Sequence, residues 1–182
     1  LEDYAYILDY LAQGLPTNTF NKREPLCYAL GELEFKLFEL VPIEKAIINI
    51  GERVYIGKDS ETRDKISHVK RRVGFNELTH AAQAEMEFVI LDIVKDNEER
   101  FIAFFNKAES ISTKKHMLEE LPGLGKKTMW AVVEERKKGA FTNFEELVKR
   151  VPSVKHPDKL VAKRIEIELS DPGQKYRLFV AR

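Results

Sequence analysis

Leu121-Pro-Gly-Leu-Gly-Lys-Lys127 is the stretch of this 182-residue chain whose residue types and spacing most directly suggest chemistry. Two glycines flank one apolar residue between two helical stretches. Gly123 and Gly125 permit unusual backbone angles and leave no side chain over the turn. Their amides, with those opening the next helix, can converge on a phosphate oxygen. Leu124 between them would anchor the turn in the core. Such a grip holds the backbone of a nucleic acid and reads no bases, so it is salt-dependent and nearly sequence-independent. Lys126 and Lys127 open the following helix, where the macrodipole disfavours cations by roughly 0.3–1 kcal/mol each. That placement makes sense under a bound anion. Arg136, Lys137 and Lys138 close the same helix, where cations are favoured anyway, so helix structure explains most of that cluster.

A second basic run, Arg63-Asp-Lys-Ile-Ser-His-Val-Lys-Arg-Arg72, stands out in an acidic N-terminal half. On an alternating strand Lys70 and Arg72 share a face, with His68 beside them. Tyr4, Tyr6 and Tyr10 likewise share one face of an earlier strand. A sheet face of cations and aromatics is how small barrels track single-stranded nucleic acid, which makes Lys70, Arg71 and Arg72 binding candidates. The competing readings are core or rim packing for the tyrosines and a charge-guarded edge strand for the arginines.

Catalytic constellations are not visible. Cys27 is the single cysteine, which excludes an internal disulfide framework, a Cys-rich zinc site and an iron–sulfur cluster held by this chain alone. His68, His80, His116 and His156 have no ligand spacing, and the acidic residues fall in helical pairs such as Glu119-Glu120 and Glu134-Glu135. There is no Walker A lysine motif and no dinucleotide fingerprint. The 121–127 stretch also resembles the hairpin of DNA glycosylases of the endonuclease III type. No Gly-Pro-x-Asp element follows it, and the four-Cys cluster is impossible, so that reading is rejected. The expectation is a chain with no catalytic residues, no metal and no cofactor.

The elements that must position these residues fall into two kinds. Residues 4–11, 25–30, 34–41, 46–50, 53–56 and 65–73 read as short strands, with Gly14, Pro16, Gly31, Pro42, Gly51, Gly57 and Gly74 as punctuation. Five or six strands in so few residues suggest a closed or half-closed barrel. Met86, Val89, Ile90, Ile93 and Val94 then recur at helical spacing, predicting a helix over about 79–95. A second helix presents Phe101, Ile102, Phe104 and Phe105, expected to pack between the two halves. From residue 112 helices are joined by short loops, and the chain repeats itself. Lys114-Lys-His-Met-Leu-Glu-Glu-Leu-Pro-Gly-Leu-Gly125 matches Phe144-Glu-Glu-Leu-Val-Lys-Arg-Val-Pro-Ser-Val-Lys155 at an offset of 30 residues. Ser153 and Lys155 replace both glycines, so the second copy is read as a structural partner to which Lys155, His156 and Lys159 could add charge. Lys163 and Arg164 read as a solvated helix face.

Charge supports an anionic partner. From residue 112 onward there are 16 Lys and Arg against 10 Asp and Glu, in a chain whose net charge is zero. No apolar run reaches the roughly 20 residues that span a bilayer, and no signal peptide is expected. The chain opens on Leu1 rather than Met, as expected where the true start lies upstream, and a cytoplasmic location is expected.

Asp3-Tyr-Ala-Tyr-Ile-Leu-Asp-Tyr10, Lys22-Arg-Glu-Pro25, Gly51-Glu-Arg-Val-Tyr-Ile-Gly57, His68-Val-Lys-Arg-Arg72, Leu121-Pro-Gly-Leu-Gly-Lys-Lys127 and Ala162-Lys-Arg-Ile165 together resemble an archaeal family catalogued as a domain of unknown function. Its members are usually described as RNA- or nucleic-acid-binding, and the resemblance covers nearly the whole chain. It implies an α+β fold, an OB-like β-barrel followed by a tandem helix-hairpin-helix domain. The expected division is a barrel over 1–75, bridging helices over 76–111 and the tandem hairpins over 112–182. The expected function is non-catalytic nucleic-acid binding, with RNA modestly favoured. Gly123, Leu124, Gly125, Lys126 and Lys127 would form the main contact and Lys70, Arg71 and Arg72 an extension. The alternative is a protein–protein adaptor in a nucleic-acid-processing complex. An exposed Trp130 or Phe141 would mark its contact patch, although burial is the expectation for both.

Overall fold

Alternating β-prone and turn-prone stretches over residues 4–73 form five strands in a computed structural model that describes residues 1–15 and 24–182. Pro16, Lys22 and Arg23 lie outside the described residues. The strands are β1 (Tyr4–Leu11), β2 (Leu26–Gly31), β3 (Leu37–Pro42), β4 (Arg53–Tyr55) and β5 (Ile66–Val73). They make one sheet in the order β4-β1-β2-β3-β5, antiparallel throughout and curled into a half-barrel. One core cluster gathers Ala5, Ile7, Cys27, Ala29, Leu40, Val54, Ile56 and Ile66. The small residues among them let a strongly curved sheet fill its own concavity. Each large aliphatic buried there contributes roughly 1.5–3 kcal/mol relative to exposure.

Three strand expectations are corrected. The 46–50 run is not a strand: Lys45 takes a left-handed φ of 67°, the Ala46 amide closes a turn on the Ile43 carbonyl, and Ile47 and Ile50 stay exposed. In β1 the pairing passes from Ile7 opposite Ala29 to Asp9 opposite Tyr28, leaving Leu8 as an extra residue. Such a bulge reverses every side chain beyond it. Tyr10 therefore packs on the cluster that holds Ile7, away from the side of Tyr6. In β5, Arg71 pairs with Glu39 and Val69 with Leu40, so Lys70 is unpaired in the ladder, and Ser67 is skipped in the same way. The alternation that would set Lys70 and Arg72 on one face beside His68 is broken at Lys70.

Helix α1 (His80–Asp96) starts where the period changes. Thr79 Oγ1 accepts from the Ala82 amide at 3.1 Å and donates to Asp9 Oδ2 at 2.6 Å, tying the helix start to β1. It is followed by α2 (Glu98–Lys107), α3 (Lys126–Arg136), α4 (Phe144–Arg150) and α5 (Pro157–Ser170). The chain between α2 and α3 is not helical from 112 as expected. It turns back in a small bridge between Ser110 and His116, then makes one 3-10 turn over Met117–Glu120. Ser112 and its neighbours divert the backbone: Ser112 Oγ accepts from the Lys114 amide at 3.3 Å.

Contacts group Leu1–Val89 with Glu168–Arg182, and separately Ile90–Ile167. This differs from the expected boundaries at 75 and 111, and the last residues do not group with the hairpins. In the first unit the buried Glu168 carboxylate accepts the amides of Leu178, Phe179 and Val180 at 3.0–3.1 Å. The Ala181 amide donates to the Glu34 carbonyl at 3.1 Å, and Arg72 donates to the Ala181 carbonyl at 3.3 Å. Those bonds fasten the tail to the sheet. Among the described residues no helix is long and apolar enough to cross a membrane.

Candidate functional site

The 30-residue repeat is visible as two equivalent turns in the second unit. The Leu124 amide donates to the Leu121 carbonyl at 3.1 Å, and the Val154 amide donates to the Val151 carbonyl at 3.0 Å. All four of these side chains are buried, so Leu124 does anchor its turn. The copies differ at the entry to the next helix. In the first, Gly123 carries the left-handed φ of 90°. In the second, His156 carries it at 52° and Pro157 opens α5, a favoured first helical position.

Gly125 is the N-cap of α3 with φ −86° and ψ 178°, extended backbone that any residue adopts. Conformational freedom is thus needed at Gly123 alone, which corrects the expectation for Gly125. What Gly125 supplies is bareness. No side chain caps the α3 N-terminus, and a Cβ at Gly125 would meet no atom within 4 Å. The first amides of a helix lack intrahelical partners, so these face solvent at the positive end of the dipole.

Lys126 and Lys127 are both exposed at that end. The Lys126 ammonium already has anionic company. It lies 3.3 Å from Glu119 Oε2 and donates to the Lys114 carbonyl at 2.9 Å. Burial would raise the Glu119 carboxyl, but the His116 amide and the Lys126 charge outweigh it and hold it below the usual range. Lys127 and Lys114 have no ion pair among the described residues and are the available cations. His116 is buried, and its Nδ1 accepts from the Leu118 amide at 3.0 Å. Burial first, then the Arg136 charge, push its pKa down, against the opposing pull of Glu119.

The cations that close α3, together with Arg164, are engaged in the fold. Arg136 donates to the carbonyls of Phe105 and Ala108 at 3.1 and 2.8 Å, capping α2. Lys137 pairs with Glu134 at 2.9 Å and Lys138 with Glu135 at 3.1 Å. Arg164, read from sequence as solvated, is 3% exposed and bound to Glu120 at 3.1 Å.

In the other unit, Arg71 is committed to the fold. It makes a two-pronged pair with the buried Glu39 at 3.0 and 2.9 Å and reaches Glu77 at 2.6 Å. Its side chain locks the β3–β5 register rather than standing free for a ligand. Arg72 reaches the tail, as above, and Lys70 is exposed at the bulge. Tyr6 is buried, and the Tyr4 ring is already covered by the Arg53 guanidinium at 3.6 Å and edge-packed on Tyr55. Of the two aromatics weighed as contact markers, Phe141 is buried as expected, but Trp130 is 57% exposed. The sequence did carry a signal for it. Met129 and Val132 define the inner face of α3, and Trp130 lies off that face. Trp130, Met129, Lys126 and Glu119 line a groove of about 410 Å³ with residues 110–116. Among the described residues no three His, Cys, Asp or Glu side chains are placed to hold a metal ion.

A half-barrel joined in sequence to a duplicated helical turn defines an α+β protein with an uncapped, cation-flanked helix start. The chain belongs to the protein family of unknown function DUF655, whose profile matches residues 1–181. It is 44% identical over 180 residues to "Uncharacterized protein MJ0038" of Methanocaldococcus jannaschii, covering 98% of this chain and 80% of that one. It is also similar to the crystal structure of Af1531 from Archaeoglobus fulgidus, a DUF655 protein, at 43% identity. That match has a TM-score of 0.89 over 99% of this chain and 100% of the other. The relatives are archaeal.

Proposed function

We propose that the chain is a non-catalytic nucleic-acid-binding protein that grips phosphates at the start of α3, with RNA modestly preferred over DNA. In this reading the curled sheet is an OB-like barrel and the repeated turns are tandem helix-hairpin-helix motifs, of which only the first keeps its glycines. One observation carries the proposal. The α3 N-terminus is bare at Gly125 and flanked by Lys127, an exposed cation without an ion pair among the described residues. Uncapped amides at a positive dipole end are a ready site for phosphate. Gly123, Leu124 and Gly125 shape the turn, and Lys127 supplies most of the charge, with Lys126 partly neutralised by Glu119. The RNA preference rests on the half-barrel and on the resemblance to the family. Lys70 and Arg72 are the weaker contacts, and Arg71 is set aside because Glu39 and Glu77 occupy it.

The adaptor reading is favoured by a different observation. Ile43, Ile47 and Ile50 on the β3–β4 connection are 37%, 75% and 49% exposed. Neighbouring exposed aliphatics suit a protein partner. A salt titration separates the two readings, run on single-stranded RNA, duplex RNA and duplex DNA. Phosphate gripping gives a log–log slope of about −0.7 to −0.9 per contact. Lys126→Ala/Lys127→Ala is expected to weaken binding to every ligand and flatten the slope by roughly one unit per lost contact, with the fold intact. Unchanged affinity and slope in that variant would make the turn structural and leave the adaptor reading in front.

A further inference from the structure

We infer that Trp130 is a stacking platform for an unpaired base, which makes single-stranded RNA the preferred ligand of the site. The inference rests on the phosphate grip proposed at α3 and adds the strand state of what is gripped. Its starting observation is independent of the helix start. Trp130 is 57% exposed on α3, whereas its neighbours Met129 and Val132 are buried. Its ring forms part of the wall of the groove of about 410 Å³ that the 110–116 turn builds against α3. That volume lies within the range of small-molecule sites, about 300–1,000 Å³.

The surroundings of the ring select the occupant. A protein hot spot centres an aromatic in an apolar, desolvated patch. Here Ser112, Thr113, Lys114, Lys115 and Lys126 line the groove with the indole, Glu119 is the carboxylate among them and is paired with Lys126, and Lys114 has no ion pair among the described residues. An aromatic face set among cations and hydroxyls matches a base joined to its phosphate. Lys126 and Trp130 are four residues apart, on one side of the helix and separated by about 6 Å of rise. A nucleotide whose phosphate meets the α3 start thus presents its base at the ring. In a duplex the base faces are stacked on one another, so only a single strand can use the platform.

The chain has one tryptophan, so its fluorescence reports this ring alone. Single-stranded and duplex RNA of equal length are titrated into the full chain, with anisotropy of labelled RNA measured in parallel. The single strand is expected to quench fluorescence with the same midpoint as anisotropy, while the duplex binds without quenching. Trp130→Ala is expected to lower single-strand affinity by about 5- to 150-fold, the worth of one base–aromatic stack, and to leave duplex affinity and salt slopes unchanged. Trp130→Lys keeps an exposed helix former and adds a cation. Stacking predicts weaker single-strand binding by that variant, and charge alone predicts tighter. Single-strand binding without quenching, or a Trp130→Lys variant that binds at least as tightly as wild type, overturns the platform and leaves the grip standing. If no RNA alters anisotropy, or the double lysine variant binds as wild type, the grip itself fails and the platform with it.

Discussion

At the scale of single residues, the two glycines of the turn separate structure from function. Gly123 needs its left-handed φ, whereas Gly125 has ordinary angles and open space beside it. A side chain at 125 is therefore sterically free, and Asp there is a good N-cap. Gly125→Asp is expected to keep or raise stability by about a few tenths of a kcal/mol. The same carboxylate would occupy the place of the proposed phosphate and repel others, so nucleic-acid affinity should collapse. Thermal melts and anisotropy on one sample check both halves, and retained affinity would move the phosphate elsewhere. Residue type pointed to this turn, because glycines around a leucine between two helical stretches suit a tight turn with a bare backbone. It did not distinguish their roles, since a dihedral angle is not written in composition. Nor did it show that Arg71 would be consumed by Glu39, a partner 32 residues away that only the β3–β5 register brings opposite.

Among elements, the piece between α2 and α3 turns on His116. Its Nδ1 accepts the Leu118 amide at the start of the 3-10 turn, which requires a neutral ring. Burial and the Arg136 charge lower its pKa in the folded chain. The unfolded chain takes the proton near the ordinary value of about 6.5. Between that value and the lower folded one, the unfolded state binds more protons. Stability is therefore complete above about pH 6.5, falls as pH drops through the window, and levels off below the folded pKa. Melting temperatures from pH 7.5 downward should show the decline, and His116→Asn, which can still cap, should lessen it. A variant with the same decline as wild type would assign the effect to other groups. The helical period of α1 and α2 was readable because several turns repeat it. The bulges at Leu8 and Lys70 were not, because one inserted residue leaves no mark in composition yet turns over every side chain beyond it. The absence of helix over 112–116 goes with the Ser112 side chain competing for a backbone amide, a tendency too local for periodicity to reveal.

For the whole molecule, the charge asymmetry read from sequence narrows when the folded units are counted. Ile90–Ile167 holds 16 basic and 13 acidic residues, a surplus of 3 against the 6 counted from residue 112. The acidic start of α2 enters this unit, and Lys175, Arg177 and Arg182 leave it for the other. The proposed binding would then depend on where the cations stand more than on bulk charge. The departure of the tail hangs on Glu168, whose carboxylate accepts three successive amides. Glu168→Ala leaves those amides unpaired, and the tail should be cut by protease at 171–182 far sooner than in wild type. Mass spectrometry of a digestion time course reads this directly. Equal cleavage rates would mean that Arg72 and Glu34 hold the tail unaided. The α+β class was open to inspection because strands precede helices in sequence. The return of the last residues to the sheet was not, since its agents are single polar groups far apart in the chain.

The peptide groups of Glu34 carry one more consequence. Its amide donates to Glu2 Oε2 at 3.0 Å, and its carbonyl accepts the Ala181 amide at 3.1 Å. One residue of the β2–β3 turn thus clasps both extremities of this stretch of chain. Extremities held that near each other can be spliced by a short peptide, with new ends opened at an exposed turn such as residues 58–62. The order in which the elements are strung is then separable from the shape they make.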